Sequence, residues 1–200
     1  CTRNTVRRAL SMLADGMFVQ PIHGKGVRVI WLKGETDMLG ALEEVESFGE
    51  FAKRNNAVAS TDVKSFEHLI CTEQLSRRLG FKVGEELIRV VRVRSLNGNA
   101  RQVDHGYFLE SIAKGLTPEI AAKSFYDYLE HKRGVKVMAS RRTVSVELAN
   151  DEDCSYLDLG KYNCVAVMES QSYTSDGILF EVTHARTHPE IFHYRVNSKR

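Results

Sequence analysis

Arg92 and Arg94 stand two residues apart in a valine-rich run, Arg89-Val90-Val91-Arg92-Val93-Arg94. A strand there sends both guanidiniums out of the same face. Like charges at that spacing repel unless an anion or a carboxylate lies between them. Arginine grips oxyanions through two parallel N–H bonds, which suits a phosphate. Ser124 and Tyr126 open a helical stretch, adding a hydroxyl and a phenol where free backbone N–H groups also favour negative charge. The four side chains together form a candidate anion site. On the strand pattern alone, the two arginines equally suit ion pairs with surface acids.

A second chemistry-bearing set lies near the start. Thr2 is a good N-cap for a helix running to about Asp15. Val6, Ala9, Leu10 and Leu13 recur at helical spacing, which predicts a buried stripe. Asn4, Arg7, Arg8 and Ser11 share the opposite side, where Arg can hold guanine or phosphate and Asn can pair with adenine. A plain solvated face would look the same. After Gly16 come two short β-prone runs around Gly24-Lys25-Gly26, a hairpin whose tip carries Lys25 within reach of a phosphate or a minor groove. A helix followed directly by such a hairpin is the second half of a winged helix-turn-helix.

Charge is divided accordingly. The 200 residues carry 28 Lys+Arg against 26 Asp+Glu, a formal +2. Residues 1–33 hold six basic residues and one acid, Asp15, so a net +5 there leaves −3 on the rest. That asymmetry points to an anionic partner at one end. Hydrophobic residues at 42% and charged ones at 27% exclude a disordered tail or a disulfide scaffold. No apolar run reaches the roughly 18 residues of a membrane span. Four cysteines without a CxxC pair predict reduced thiols in a cytoplasm.

Two other constellations carry less. His184, His188, His193 and Glu190 fall within ten residues, but the stretch reads as strand broken by Pro189, so no metal is expected. No nucleophile and base stand at a readable spacing, so neither catalysis nor a cofactor is expected.

The elements that must position these residues alternate strands with short helices. A polar linker is expected over 34–40 and a helix over 41–54. Strands are expected near 57–66, 86–96, 100–108, 136–148, 163–174, 178–187 and 191–197, with helices near 72–79, 124–132 and 151–158. Asn97-Gly98 and Asp176-Gly177 mark tight hairpins, hence a largely antiparallel sheet and an α+β fold.

Residues 2–13, Thr-Arg-Asn-Thr-Val-Arg-Arg-Ala-Leu-Ser-Met-Leu, followed by the Gly-Lys-Gly tip, resemble the GntR family of bacterial repressors. The resemblance implies a recognition helix at 2–15, with Arg3, Asn4 and Arg7 as operator contacts and Lys25 on the wing. The first two helices of the motif are not in the 200 residues, so the chain is expected to continue upstream of Cys1 and to bind DNA poorly as it stands. Met17 occupies the position where the family has glycine. The remaining 160 or so residues resemble the UTRA effector domain of the HutC-type branch, a chorismate lyase-like fold. Arg92-Val93-Arg94 before an Asn-Gly turn, Asp104 with Tyr107-Phe108, Ser124-Phe125-Tyr126, then Glu181 and Arg186 carry that likeness. Ser47-Phe48-Gly49-Glu50, Thr117-Pro118-Glu119 and Asp151-Glu152-Asp153 resemble repressors of trehalose operons.

The resemblance implies domains at 1–33 and 41–200 and a homodimer whose effector is a sugar phosphate. Trehalose 6-phosphate is the specific expectation; N-acetylglucosamine 6-phosphate is the alternative. It places phosphate on Arg92, Arg94, Ser124 and Tyr126, and sugar hydroxyls on Asp104 and Glu181. A loop at 47–50 is expected to close over the ligand through the backbone of Phe48 and Gly49.

Overall fold

The computed structural model describes residues 2–31, 39–40 and 45–194. The chain divides into two compact units, Cys1–Asp37 with Arg195–Arg200, and Met38–Tyr194. The expected linker at 34–40 lies outside the described residues except for Leu39–Gly40.

In the first unit, helix α1 (Arg3–Asp15) starts where the Thr2 side chain accepts a hydrogen bond from the Thr5 N–H. The hairpin β1 (Val19–Ile22) and β2 (Gly26–Val29) follows, with Gly24 and Gly26 at positive φ around Lys25. Between helix and hairpin Met17 takes φ 59° while Gly16 does not, so methionine itself occupies the left-handed position. A Cβ at Gly16 would lie 2.7 Å from the Phe18 ring, so a side chain there would require that exposed ring to turn aside. The expected burial of Val6, Ala9, Leu10 and Leu13 is corrected. No residue of α1 is buried, and Val6 and Leu13 are exposed. A lone helix beside a two-stranded ribbon encloses too little to remove a face from water.

The second unit is built on six strands in the order β4-β5-β6-β9-β8-β7, every neighbouring pair antiparallel. They are β4 (Ala59–Ile70), β5 (Glu86–Leu96), β6 (Asn99–Leu109), β7 (Val137–Leu148), β8 (Cys164–Thr174) and β9 (Leu179–Thr187); β3 (Leu39–Gly40) lies outside this sheet. Asn97 and Gly98, at φ 50° and 82°, make the two-residue turn of the β5–β6 hairpin. A short β10 (His193–Tyr194) pairs in parallel with β3.

Several boundaries differ from expectation. The helix expected over 41–54 is α2 (Phe48–Arg54); residues 45–47 precede it and 41–44 lie outside the described residues. Ser47 stops it from starting earlier: its hydroxyl accepts from the Glu50 N–H while the Glu50 carboxylate accepts from the Ser47 N–H. The helix expected to 132 is a four-residue α5 (Phe125–Tyr128) relaxing into a π turn over Leu129–Arg133 that ends on left-handed Gly134. The final strand is only β10, preceded by a 3₁₀ turn at Pro189–Ile191; residues 195–197 lie outside the described residues. Helix α4 (Pro118–Ala121) was not expected, although Thr117 as cap and Pro118 at the first position are a start signal. Helices α3 (Glu73–Leu79) and α6 (Asp151–Tyr156) lie where expected.

The apolar residues form two clusters. Leu79, Phe81, Leu87, Phe108, Phe125 and Phe180 anchor one, and Val91, Val103, Val165 and Val167 pack with Leu157 and Leu159 in the other. Arg186 ties the second side together. Its Nε and Nη2 donate to the fully buried Asp153 carboxylate, its Nη1 to Glu147, and its Nη2 also to the Leu148 carbonyl.

Candidate functional site

One face of the six-stranded sheet is polar across its middle, and register alone determines which residues share it. Arg92, Asp104, Ala185 and Met168 lie in one cross-strand row; Arg94, Gln102 and Thr187 in the next; Thr183, Ser170 and Arg142 on the other side of the first; and beyond them Glu181, Ser172 and Ser140. This face floors a cavity of about 430 Å³ walled by α2, by residues 122–126 and by Phe192 and Tyr194. All eight residues expected to bind an effector, Arg92, Arg94, Asp104, Ser124, Tyr126, Glu181, Phe48 and Gly49, line it.

The charges are organised around one carboxylate oxygen. Asp104 Oδ2 accepts from Arg92 Nη2 at 2.6 Å and from Arg94 Nη2 and Nε at 2.8 and 3.1 Å. Arg92 and Asp104 are both buried. Burial alone would raise the Asp104 pKa, but the two guanidiniums bring it down to about 2. Burial and the neighbouring Arg92 lower that of Arg94, against the pull of Asp104. Two cations on one anion leave the trio one positive charge in excess, facing the cavity. Asp104, which also lines the cavity, is the clamp that permits two arginines to be buried side by side.

Arg92 has further supports. Its Nη1 donates to the Ala121 carbonyl at 3.4 Å, its guanidinium lies over the Phe108 ring at 5.6 Å, and its Nε is buried without a partner. Gly106, in the row beside it, leaves room for this stack: a Cβ would come within 2.7 Å of Phe108 and 3.5 Å of Arg92 Nη2. Arg94 reaches the other way, its guanidinium 5.1 Å from the Phe48 ring centroid. Phe48 and Gly49 therefore belong to the first turn of a capped helix held against Arg94, not to a loop.

Glu181 lies under the far end of the cavity. The Tyr126 hydroxyl donates to its Oε2 at 2.7 Å, with Ser172 Oγ 3.3 Å from the same hydroxyl. Burial pushes the Glu181 carboxyl up, opposed by the Tyr126 hydroxyl and by Arg92. Burial and Glu181 push the Tyr126 phenol well above its ordinary value. Ser124 lines the wall, and its hydroxyl accepts from the Asp127 N–H as cap of α5. Arg142, Ser140, Ser170, Thr183 and Lys123 also line the cavity and were not expected. Arg142 and Ser140 share the strand parity of β7, the only signal they carried, and Ser140 Oγ is buried without a partner.

Other candidates lie apart. Arg186 faces away from the cavity, on Asp153 and Glu147. His188 is buried; its Nδ1 accepts from the Glu190 N–H and its Nε2 lies 3.1 Å from the Asp158 carbonyl. Among the described residues no group of His, Cys, Asp and Glu is arranged to hold a metal. Arg3, Asn4 and Arg7 lie together near the start of α1 and Lys25 at the hairpin tip, all exposed, in the first unit.

The family model of the UTRA domain matches residues 54–193, which includes the whole sheet and its floor of paired charges. The chain belongs to the UTRA domain family. Over 193 residues the UTRA chain is 29% identical to the HTH-type transcriptional regulator TreR of Bacillus subtilis, covering 96% of this chain and 80% of that protein. It is 24% identical to the transcriptional repressor NagR of the same organism over 186 residues, covering 93% and 74%. The solved effector binding domain of the B. subtilis trehalose repressor superposes with a TM-score of 0.62 at 26% identity, covering 70% of this chain and 98% of that one. YydK of B. subtilis shares the fold with a TM-score of 0.74 at 21% identity, over 100% of this chain and 84% of that one. This UTRA chain is a GntR-type transcriptional regulator of the HutC branch, resembling the trehalose repressor; its relatives are regulators, and it is not an enzyme.

Proposed function

We propose that the protein represses a trehalose utilisation operon and releases its operator when a sugar phosphate, trehalose 6-phosphate, fills the cavity over the sheet. The observation that carries this is the buried Arg92–Asp104–Arg94 trio, whose excess positive charge faces the cavity. A phosphate would neutralise that charge and complete the free side of the guanidiniums. Ser140, Ser170, Thr183 and Glu181 offer hydroxyl and carboxylate partners for sugar hydroxyls. The likeness to a trehalose repressor supports the choice of sugar.

In this reading residues 1–33 are the recognition helix and wing of a winged helix-turn-helix, 34–40 the linker and 41–200 the effector domain. Arg3, Asn4, Arg7 and Lys25 touch DNA, and the protein is a cytoplasmic homodimer on a palindromic operator. Effector binding shifts operator affinity through the arrangement it favours. Helix α2, joined to the site by the Phe48–Arg94 contact, is the first helix after the linker among the described residues.

Calorimetric titration tests the reading. Trehalose 6-phosphate should bind with a saturable heat much larger than trehalose or glucose 6-phosphate gives, and Arg92→Ala should weaken it far more than the free sugar. Equal weak heats from all three would sink the assignment, and tight binding of N-acetylglucosamine 6-phosphate would replace the sugar while keeping the phosphate site.

A further inference from the structure

The cavity over the sheet has two polar ends, and each holds an unsatisfied atom. Among the described residues three buried side-chain polar atoms lack a hydrogen-bond partner: Arg89 Nε, Arg92 Nε and Ser140 Oγ. Arg89 lies on the opposite face of β5. The other two side chains line the cavity, Arg92 from β5 and Ser140 from β7. Strands β6, β9 and β8 run between them, so the two ends are roughly 19 Å apart from strand axis to strand axis. A buried polar atom left unpaired in a cavity wall is one that a ligand can complete. The floor at the β7 end is a polar grid. Thr183, Ser170 and Arg142 form one cross-strand row over β9, β8 and β7, and Glu181, Ser172 and Ser140 form the next. Nearby the wall is aromatic: Tyr194, within reach of the Arg142 charge, stands edge-on to Phe192 with ring centroids 4.8 Å apart. Hydroxyls, one carboxylate and one guanidinium beside aromatic rings suit a sugar ring. They do not suit a second phosphate, which the Glu181 carboxylate would repel.

We infer that the cavity has two subsites and that its β7 end selects a disaccharide phosphate over a monosaccharide phosphate, with Ser140 and Arg142 as the specificity-determining residues. The inference rests on the effector reading above and deepens it: that reading seats the phosphate, and this one assigns the discrimination. A phosphate on Arg92 and Arg94 carrying one pyranose ring occupies the β5–β6–β9 end. A second ring is needed to reach β7. There the Ser140 hydroxyl gains the partner it lacks, and Arg142 donates to a ring hydroxyl across Ser170. A monosaccharide phosphate leaves Ser140 unpaired, so it forgoes that bond without losing its hold on the arginines. A site built to hydrogen-bond a ligand hydroxyl rejects the analogue that lacks it more strongly than an apolar pocket can.

Calorimetric titration of the full chain with trehalose 6-phosphate and glucose 6-phosphate, in wild type and variants, is the test. Ser140→Ala should weaken trehalose 6-phosphate about tenfold and leave glucose 6-phosphate unchanged. Arg142→Gln should show the same split, with a loss of about tenfold or more for the disaccharide. Arg92→Ala should instead weaken both ligands, and its effect should add to that of Ser140→Ala, because the two side chains lie far apart and share no partner. Ser140→Ala deletes only an unpaired hydroxyl, so an unchanged melting temperature should accompany it. A wild type that binds neither sugar phosphate overturns the effector reading, and this inference with it. Equal affinity of the wild type for both ligands overturns the second subsite and keeps the phosphate site. Tight binding of trehalose 6-phosphate that survives both β7 variants, or variants that weaken both ligands alike, overturns only the assignment to β7.

Discussion

At the residue scale the site depends on an unequal trio. Removing the shared anion by Asp104→Asn leaves two guanidiniums buried and repelling, which should cost about 3–5 kcal/mol in chemical denaturation. Acid does the same reversibly. With its pKa held near 2, Asp104 stabilises the fold at any pH above its ordinary value of 3.8, and that stability is lost as pH falls toward 2. The contribution is about 2 kcal/mol, measurable as a steep loss of stability between pH 4 and 2 that is missing from the Asn variant. Glu181 has the opposite sign. Its raised pKa means that the folded state holds the proton more tightly, so stability falls as pH rises above the ordinary 4.5. Glu181→Gln keeps an acceptor for the Tyr126 hydroxyl. It should remove that fall from the melting profile without lowering stability at neutral pH, while weakening effector binding.

At the element scale the site is a product of strand register. Arg92, Asp104 and Ala185 align because β5, β6 and β9 are consecutive in the sheet, although the residues span more than ninety positions. The β5–β6 half of this was legible only in part: period two puts Arg92 and Arg94 on one face and the Asn-Gly turn closes the hairpin, but counting back from that turn sets Arg92 opposite Val103, and it is the register shift between Arg94 and Ser95 that brings Asp104 across from Arg92. The β9–β8–β7 half was not, because β6 joins β9 across seventy residues and no local pattern encodes that neighbour. Arg142 and Ser140 were missed for this reason. Phe48 and Gly49 were given the right location and the wrong structure, since Ser47-Phe48-Gly49-Glu50 carries both a turn-like glycine and a capping box, and the cap prevailed. Gly106→Ala tests the packing beneath the trio. With Phe108 fully buried and unable to yield, the added methyl should cost about 1–3 kcal/mol and weaken effector binding, read by denaturation and calorimetry.

At the scale of the whole molecule the division of charge becomes a division of labour. The +5 of residues 1–33 lies on a unit whose helix and hairpin bury little, and the cavity belongs wholly to the other unit. If the basic unit meets phosphates, affinity of the intact regulator for duplex DNA should fall steeply with salt. Arg7→Ala and Lys25→Ala should each reduce the slope by about one, measured by fluorescence anisotropy across a salt series.

By itself the sequence determined what local rules control: the cap at Thr2, the hairpin turns, the side-chain parity along β5, and hence which arginines share a face. It also determined the charge asymmetry, which needs no coordinates. Only the tertiary structure decided who meets whom across the sheet. It made Asp104 a clamp between two arginines, set Tyr126 on Glu181, turned Arg186 away to the opposite face, and brought Ser140 and Arg142 of β7 to the cavity. Strand order and burial are set by contacts between residues far apart in the chain. A carboxylate's task, whether to bind ligand or to hold an arginine, depends on which of those neighbours arrives.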